Sequence, residues 1–450
     1  MTTAERDISQ RSQMWLPQHV LVERSVQEHP TAREILANCQ DAIIHIVDAR
    51  EASDPEILRR SIDGASKMDD AQLAALSRRC LFLWESQELT QPMATGPAWE
   101  RRCYNFTKIM PYIGTCAFNC AYCWFKDPLL LPRVNVAFFD HFGGLLDRLR
   151  AEGATPTVFT FTQYKTDCFG LEHLTGFCRR VADVLQNEPG FFVQFLTKSS
   201  CVDSLLKAPA PTKALVSFSI NPPKIATEVD LGTASLAQRL EAAGRLSDAG
   251  YEVALRVDPM MVFPGWQQAY RDLAAEVVRH VRPSQVTFGT PRFQSLEEVT
   301  RVAETTPARS ARRFMAEQLN LMVESKPGQS LTTDSESAYF KNMAVSYSDD
   351  TRLALYRNAV DAFRAIDPGL SLGLCEESAT VWEAVGLEWT GDRTKDCSCN
   401  FIAPQHLSEL TPEDRSEVER RRVVALQADK TVRSTGGSAT MTPVNLRPRR

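Results

Sequence analysis

The chain has 450 residues and a formal net charge of −5, and apolar side chains make up 43% of it, enough for a sizeable core. The acidity disfavours a large nucleic-acid partner, because proteins that grip duplex DNA usually present a basic face. The start of the chain, Met1 to Asp7, is polar and mixed in charge, unlike a signal peptide, and no apolar run approaches the ~20 residues that cross a bilayer. We therefore expect a soluble, cytoplasmic protein with no membrane segment.

Residues 1–100 carry no chemical motif and are predicted to form an N-terminal cap on the core. A helix is expected near Thr31 to Asn38, followed by a strand over Ala42 to Val47. Charged and helical segments are expected from there up to Trp84.

From about residue 101 the pattern alternates between strand and helix. The predicted strands are Tyr104 to Met110, Val158 to Phe161, Phe191 to Leu196, Ala214 to Ile220, Glu252 to Val257 and Val286 to Phe288. The predicted helices are Ala137 to Ala151, Leu171 to Gln186, a short one after Ser199, Ser235 to Ala249 and Gln267 to Val281. Such β/α units predict an α/β domain over residues 101–300, with a parallel sheet and outer helices.

Residues 301–405 are less regular and are predicted to form a C-terminal extension on the substrate side. Helices are expected over Arg309 to Glu324 and Asp350 to Ile366, with a final strand over Ser371 to Cys375. Residues 406–450 are predicted to be a charged helix and a disordered tail rich in Gly, Ser, Thr and Pro.

Three cysteines with the spacing C-x3-C-x2-C, Cys116, Cys120 and Cys123, follow the first of these strands. Three thiolates so close together can hold three irons of a [4Fe–4S] cube, which leaves the fourth iron open to bind a substrate or cofactor. A zinc or merely structural role is the alternative, but zinc sites usually take four ligands in two pairs, and His141 lies too far along the chain. A disulfide fits poorly, because three is an odd number and the context is not secretory.

This spacing resembles the signature of the radical S-adenosylmethionine (SAM) enzymes. Further stretches resemble their spore photoproduct lyase branch, over about residues 105–295 and again near 370–400. These are Lys165 to Thr175, Leu196 to Lys198, Ser217 to Asn221, Ser235 to Pro259, Pro264 to Trp266, and Leu374 to Ser378 with Cys397 to Asn400. The resemblance implies a partial (β/α)6 TIM-like barrel, with the chemistry at the C-terminal ends of its strands.

The resemblance also implies cofactors and roles. Cys116, Cys120 and Cys123 would ligate a [4Fe–4S] cluster whose open iron chelates SAM, and an external one-electron donor such as flavodoxin or ferredoxin would reduce it. Lys198, at a strand end, would meet the SAM carboxylate, and Ser217 and Ser219 would hydrogen-bond SAM. The alternatives are a solvated strand-end charge for the lysine and a polar barrel interior for the serines.

The chain departs from the family at the groups that return a hydrogen atom to the product. The family's cysteine before the Ser/Thr-Asp pair is here Tyr164, and the tyrosine after the third cluster cysteine is here Trp124. Cys168 and Cys201 are alternative donors because both follow strands, although each is as readily a small buried hydrophobe. The pair Cys397 and Cys399 could hold a metal with Cys375, pack beneath the site or be idle.

Three functions fit these residues. The first is radical SAM modification of a small pyrimidine nucleotide or nucleoside in natural-product (antibiotic) biosynthesis, by C–C bond formation or rearrangement; it follows from the lost donor pair and the acidic charge. The second is a lyase that splits a thymine photodimer in DNA. The third is a non-catalytic iron–sulfur or zinc protein, for which Lys198 and the serines would be incidental.

Overall fold

The computed structural model describes residues 14–48, 53–91, 106–123, 129–152, 157–161, 166–208, 213–306, 308–324, 345–375, 377 and 379–388. Its strands are β1 His19–Glu23, β2 Ile43–Val47, β3 Cys80–Trp84, β4 Thr90–Gln91, β5 Phe106–Ile109, β6 Tyr112–Gly114, β7 Pro132–Asn135, β8 Thr157–Phe161, β9 Phe191–Thr197, β10 Ala214–Ser219, β11 Glu252–Val257, β12 Gln285–Phe288, β13 Arg292–Phe293, β14 Met322–Glu324, β15 Val345–Tyr347 and β16 Ser371–Leu374. Its helices are α1 Pro30–Asn38, α2 Asp54–Ser61, α3 Asp70–Ser77, α4 Phe138–Ala151, α5 Glu172–Thr175, α6 Phe177–Gln186, α7 Pro223–Glu228, α8 Leu236–Asp248, α9 Trp266–His280, α10 Leu296–Glu304, α11 Arg309–Leu319, α12 Asp349–Ile366 and α13 Ala379–Ala384.

The centre of the fold is a sheet in the order β16-β12-β11-β10-β9-β8-β5-β4. Its strands pair in parallel, except that β4 runs antiparallel to β5. The predicted β/α series is thereby confirmed, and the predicted last strand joins the same sheet as β16. Among the described strands the sheet is not closed, since β4 and β16 are its edges, so the α/β fold is a partial barrel.

The two faces of this sheet differ because side chains alternate along a strand. One face carries apolar residues that belong to the main hydrophobic core, such as Phe159, Val216 and Leu255. The opposite face, which we call the inner face, carries buried polar side chains. Its members are Thr160, Gln194, Ser217, Ser219, Arg256 and Thr287. The fold thus gathers polar groups on one side of otherwise apolar strands.

A second sheet, in the order β2-β1-β3-β7-β6, covers the N-terminal side. Neither β1 nor β3 was expected, and the strand β3 occupies the end of the segment predicted to be charged and helical. Alternation explains β3: Leu81 and Leu83 face the main core, whereas Phe82 faces a second apolar cluster under α2. Strands β6 and β7 lie beyond residue 100, so this sheet spans the domain boundary predicted at residue 100. The division into domains stays a prediction.

Two predicted helices differ in the structure. The helix expected over Leu171 to Gln186 is divided into α5 and α6 at Gly176, which adopts a left-handed φ of 61°. The helix expected to reach Glu324 ends at Leu319, since Met322–Glu324 pairs with β15 in a small antiparallel sheet. The predicted loop over 326–334 and the predicted segment 406–450 lie outside the described residues. Among the described helices, none has the length and apolarity to cross a membrane.

Candidate functional site

The cysteine trio lies in a loop that begins where β6 ends. Gly114 has a φ of +89°, and a Cβ built there would lie 1.9 Å from the carbonyl oxygen of Leu131. Only glycine permits this approach, because any side chain would collide with the backbone of the segment leading into β7. The turn at Gly114 therefore sets the direction in which the loop leaves β6.

A short segment, residues 229–231, holds the loop from the other side, and we call it the clamp. The backbone N–H of Asn119 donates to Leu231 O at 2.8 Å, and that of Ala121 donates to Val229 O at 2.8 Å. Between these bonds, the Tyr122 hydroxyl donates to Asp230 Oδ1 at 2.5 Å. Backbone and side-chain contacts thus fix the loop between its cysteines.

The thiols of the loop are shielded from water, with Cys120 buried and Cys116 and Cys123 half-buried. Burial raises the pKa of Cys120 to about 12; Asp230 raises it further, whereas the nearby Lys198 partly offsets this. Burial likewise raises the pKa of Cys116 far above its usual range, with a contribution from Asp167. Such thiols release their protons when a metal centre binds them, because metal coordination requires the thiolate.

The three thiols of the loop lie close together, since Cys120 and Cys123, besides burial, both raise the pKa of Cys116. A [4Fe–4S] cube binds each of its thiolates at a different iron. The trio is therefore suited to hold a [4Fe–4S] cluster.

Lys198 directly follows β9 and extends toward this loop. Its ammonium donates to Ser219 Oγ, lies 3.4 Å from the carbonyl oxygen of Asp258 and lies 3.7 Å from Asp230 Oδ1. It also lies 5.7 Å from the centre of the Tyr122 ring. The structure thus brings two of the predicted cofactor-binding residues, Lys198 and Ser219, together beside the cysteine loop.

Ser217, the other predicted cofactor contact, lies deeper on the inner face of β10. Its hydroxyl oxygen is buried and has no hydrogen-bond partner among the described residues. The same is true of both polar side-chain atoms of Asn221, which follows β10. Buried polar groups are nearly always hydrogen-bonded, so these atoms are suited to a ligand or an ordered water.

Asp230 and Arg239 form a fully buried ion pair behind the loop, with Nη1 2.9 Å from Oδ2. Arg239 also donates to the carbonyl oxygens of Ser219 and Ala234, which ties the clamp to the end of β10. Burial alone would raise the pKa of Asp230, but Lys198 and Arg239 outweigh it, so that the pKa lies below its ordinary value. Asp230 is therefore an anion shared by two cations and a phenol.

A second polar group lies at the ends of β11 and β16. Arg256 Nη2 is 3.1 Å from Asp258 Oδ2 and donates to Cys375 Sγ at 3.0 Å. Burial raises the pKa of Asp258, and Cys375 adds to this, while Arg256 and Lys198 oppose it. A Cβ on Gly289 would lie 2.8 Å from the Asp258 carboxyl carbon, so a side chain at position 289 would displace that carboxyl.

The predicted hydrogen donors lie elsewhere. Cys168 is fully buried in the main apolar core, and its thiol donates to the carbonyl oxygen of Phe161 at 2.7 Å. Cys201 is half-buried in the loop after β9, where burial raises its pKa to about 11. The surroundings of Cys168 favour the role of a small hydrophobe. The catalytic roles of both cysteines stay predictions.

Tyr164 and Trp124, at which the chain departs from the family, lie outside the described residues, as do Cys397 and Cys399.

Sequence reasoning missed Asp230, Arg239, Arg256 and Asp258. Arg256 did carry a signal, because an arginine inside the apolar strand Glu252–Val257 needs a polar partner. Asp258 follows that strand directly, at the end where parallel sheets collect functional groups. Asp230 had no such signal, since its partners meet only when the clamp packs on the loop.

A three-cysteine loop at the C-terminal side of a parallel β/α sheet, beside a strand-end lysine and serine, is the arrangement of the radical SAM enzymes. Residues 15–301 match the family model described as spore photoproduct lyase. The chain belongs to the spore photoproduct lyase family, whose members work with a [4Fe–4S] cluster and SAM.

Curated relatives agree with this assignment. The spore photoproduct lyase of Bacillus subtilis (strain 168) is 28% identical over 211 residues, which cover 43% of this chain and 58% of that protein. That of Clostridium acetobutylicum is 22% identical over 275 residues, covering 60% of this chain and 76% of the relative. The match to the Bacillus subtilis protein thus spans less than two thirds of that relative's length.

Solved structures share the fold. A spore photoproduct lyase complexed with dinucleoside spore photoproduct has a TM-score of 0.60 at 20% identity, covering 80% of this chain and 99% of that one. A mutant lyase with bound AdoMet and dinucleoside spore photoproduct has a TM-score of 0.59 at 20% identity, covering 81% and 99%. At such identities the likeness establishes the fold.

Proposed function

We propose that this protein is a radical SAM enzyme that removes a hydrogen atom from a pyrimidine substrate. The observation that carries the proposal is the contact of Lys198 with Ser219 beside the clamped cysteine loop. When bound, the cluster and SAM supply a one-electron cleavage that yields methionine and a 5′-deoxyadenosyl radical. The protein supplies position, charge and exclusion of water.

Each role belongs to residues already described. Cys116, Cys120 and Cys123 hold the cluster. The Lys198 ammonium binds the SAM carboxylate, because it is a fixed cation at a strand end with one hydrogen bond to Ser219. The unpartnered hydroxyl of Ser217 hydrogen-bonds the bound cofactor or substrate from the inner face. An external one-electron donor of the flavodoxin or ferredoxin type reduces the cluster.

Two substrate classes follow for this site. Membership of the family, and a solved relative that binds dinucleoside spore photoproduct, favour a thymine photodimer. The sequence departures at Tyr164 and Trp124 and the net charge of −5 favour a small pyrimidine nucleotide in a biosynthetic reaction. A non-catalytic metal protein would leave the Lys198–Ser219 contact without a purpose, so it is the weakest proposal.

The decisive experiment is anaerobic reconstitution with iron and sulfide, followed by SAM and dithionite. We expect 5′-deoxyadenosine and a SAM-dependent change in the cluster's EPR signal. Lys198→Ala should weaken SAM binding about tenfold or more, since a charged hydrogen bond contributes about 1.5–3 kcal/mol. The matched control is Lys224→Ala, because Lys224 pairs with Glu228 within α7 and lies over the Phe314 ring, so it has no role assigned in the site. No 5′-deoxyadenosine and no change in EPR would reject the proposal.

The substrate class is decided by comparing dinucleoside spore photoproduct, dimer-containing oligonucleotides and UMP. Repair predicts oligonucleotide binding that weakens steeply with salt, because phosphate contacts release counterions. Selective, salt-insensitive binding of UMP would instead support the small-molecule substrate.

A further inference from the structure

Cys375 and Cys201 differ from the other described cysteines outside the trio because both are half-buried, and Cys375 contacts Arg256 of the inner face. Cys39, Cys80, Cys168 and Cys178 are buried in the apolar clusters. Cys375 is half-buried and follows β16, the last parallel strand. It therefore stands at the strand end where the proposed chemistry takes place.

The strand register puts Cys375 on the inner face. Arg256 is the partner of Thr287, and Thr287 is the partner of Gly373, so this row of inner-face positions continues into β16. Cys375 lies two residues beyond Gly373 and so points to the same side. The contact of its sulfur with Arg256, an inner-face residue, agrees with this direction.

The neighbours of the thiol suit a hydrogen-atom donor. In its contact with Arg256 the sulfur is the acceptor, so that contact does not use the hydrogen of the thiol. The carboxylate of Asp258 lies 3.1 Å from the same guanidinium nitrogen. A thiol has a weak S–H bond, whose hydrogen atom it can give to a carbon radical.

Asp258, which pairs with Arg256 beside Cys375, also contacts the residues assigned to SAM. The backbone oxygen of Asp258 contacts the Lys198 ammonium at 3.4 Å and accepts from Ser219 Oγ at 3.1 Å. Independently, Asn221 lies two residues beyond Ser219, the strand partner of Arg256, and both polar atoms of its buried side chain have no hydrogen-bond partner among the described residues. These atoms are suited to a ligand or an ordered water at the level of Asp258 and Cys375. Cys375 is thus connected through Arg256 and Asp258 to the residues assigned to SAM.

We propose that Cys375 returns the hydrogen atom that completes the product, an assignment that rests on the proposed function. The S–H bond breaks and a C–H bond forms at the substrate radical, which leaves a thiyl radical on Cys375. One electron from the external one-electron donor and one proton from solvent then restore the thiol. This assignment provides a donor in a chain that has Tyr164 where its family has the donor cysteine.

The test uses solvent deuterium and needs no known substrate. In D2O, holoenzyme supplied with SAM and dithionite cleaves SAM without a substrate and produces 5′-deoxyadenosine. The 5′-deoxyadenosyl radical then takes deuterium from the weakest exchangeable bond that it can reach. We expect Cys375→Ala to form 5′-deoxyadenosine as the wild type does but with at least fivefold less deuterium in it. Cys39→Ala and Cys80→Ala, which remove buried cysteines of the apolar clusters, are the matched controls and should keep the wild-type deuterium content.

A second readout uses the protein without its cofactors. In alkylation with iodoacetamide, Cys375 should be labelled at least tenfold faster than Cys168. Unchanged deuterium in Cys375→Ala, or labelling of Cys375 as slow as that of Cys168, would overturn the assignment while leaving SAM cleavage intact. No 5′-deoxyadenosine from the wild type would instead reject the proposed function itself.

Discussion

Asp230 shows how one side chain can serve several parts of the site. Its two carboxylate oxygens contact Tyr122 in the cysteine loop, Lys198 at the end of β9 and Arg239 in α8. Two full positive charges therefore face one negative charge in a buried setting. The charge around the proposed cluster and the position of the SAM-binding lysine both depend on this residue.

Asp230→Asn should make the cluster easier to reduce. The amide keeps the shape but removes a negative charge beside Cys120, so an added electron is less strongly opposed. Redox titration followed by EPR should show a shift to more positive potential. Unfolding in denaturant should also show a loss of about 3 kcal/mol, because Arg239 is left buried without its counter-ion.

The control for this substitution is Glu172→Gln. Glu172 is also a buried carboxylate, but it accepts from the backbone of Cys178 in α6 and from Ser204 Oγ. Its variant should keep the wild-type potential. A wild-type potential in Asp230→Asn would show that Asp230 has a structural role alone.

At the scale of single residues, the candidate site was named through the family resemblance. Lys198 and Ser219 were proposed in this way, and they lie near the ends of predicted strands, where parallel sheets place functional groups. The contact between Tyr122 and Asp230 was not predictable from the sequence, because it joins residues 108 positions apart through the packing of two loops. The contact of Arg256 with Cys375 likewise depends on the position of β16 in the sheet.

Among elements, the buried parallel strands were the most predictable, since they are continuous apolar runs. The strand Glu252–Val257 begins and ends where the sequence indicates. The short strands β1 and β14 were missed, because periodicity over so few residues does not separate strand from helix. Gly176 was missed as a helix boundary because a single glycine is tolerated within helices.

Gly114→Ala tests the turn from β6 into the cysteine loop. The new Cβ would meet the Leu131 carbonyl, and the left-handed φ adds strain, so the loop must shift. We expect at least a severalfold lower iron content after reconstitution, measured per protein, with a folded circular-dichroism spectrum.

Gly64→Ala is the matched control for this turn. Gly64 also has a positive φ, of +80°, but a Cβ there would meet nothing within 4 Å. Equal iron content in both alanine variants would mean that the turn does not set the loop.

For the whole molecule, the two larger sheets share one hydrophobic core. Val20 and Leu81 of the N-terminal sheet belong to the same cluster as Phe159 and Val216 of the parallel sheet. The hydrogen bond between the Tyr112 hydroxyl and Thr175 Oγ1 crosses from β6 to α5. These contacts join the N-terminal sheet to the parallel sheet through one core.

Leu81→Ala should therefore destabilise the whole described fold by about 3 kcal/mol, the usual cost of removing a fully buried leucine side chain. Thermal unfolding followed by circular dichroism and by tryptophan fluorescence should give one coincident transition at a lower temperature. Val184→Ala, at a partly exposed site on α6, should change stability by less than about 0.5 kcal/mol. Separate transitions for the two probes would contradict a shared core.

The clamp on the cysteine loop has a consequence for electron affinity. Amide groups that point at the sulfurs of an iron–sulfur centre stabilise its reduced form. Here the amide of Phe118 donates to Cys116 Sγ at 3.4 Å, whereas those of Asn119, Ala121 and Cys123 are engaged by backbone carbonyls. With one of these four amides directed at a sulfur and three turned away, an iron–sulfur centre in the loop would gain little stabilisation on reduction and remain a strong reductant, as breaking a sulfonium bond with one electron demands.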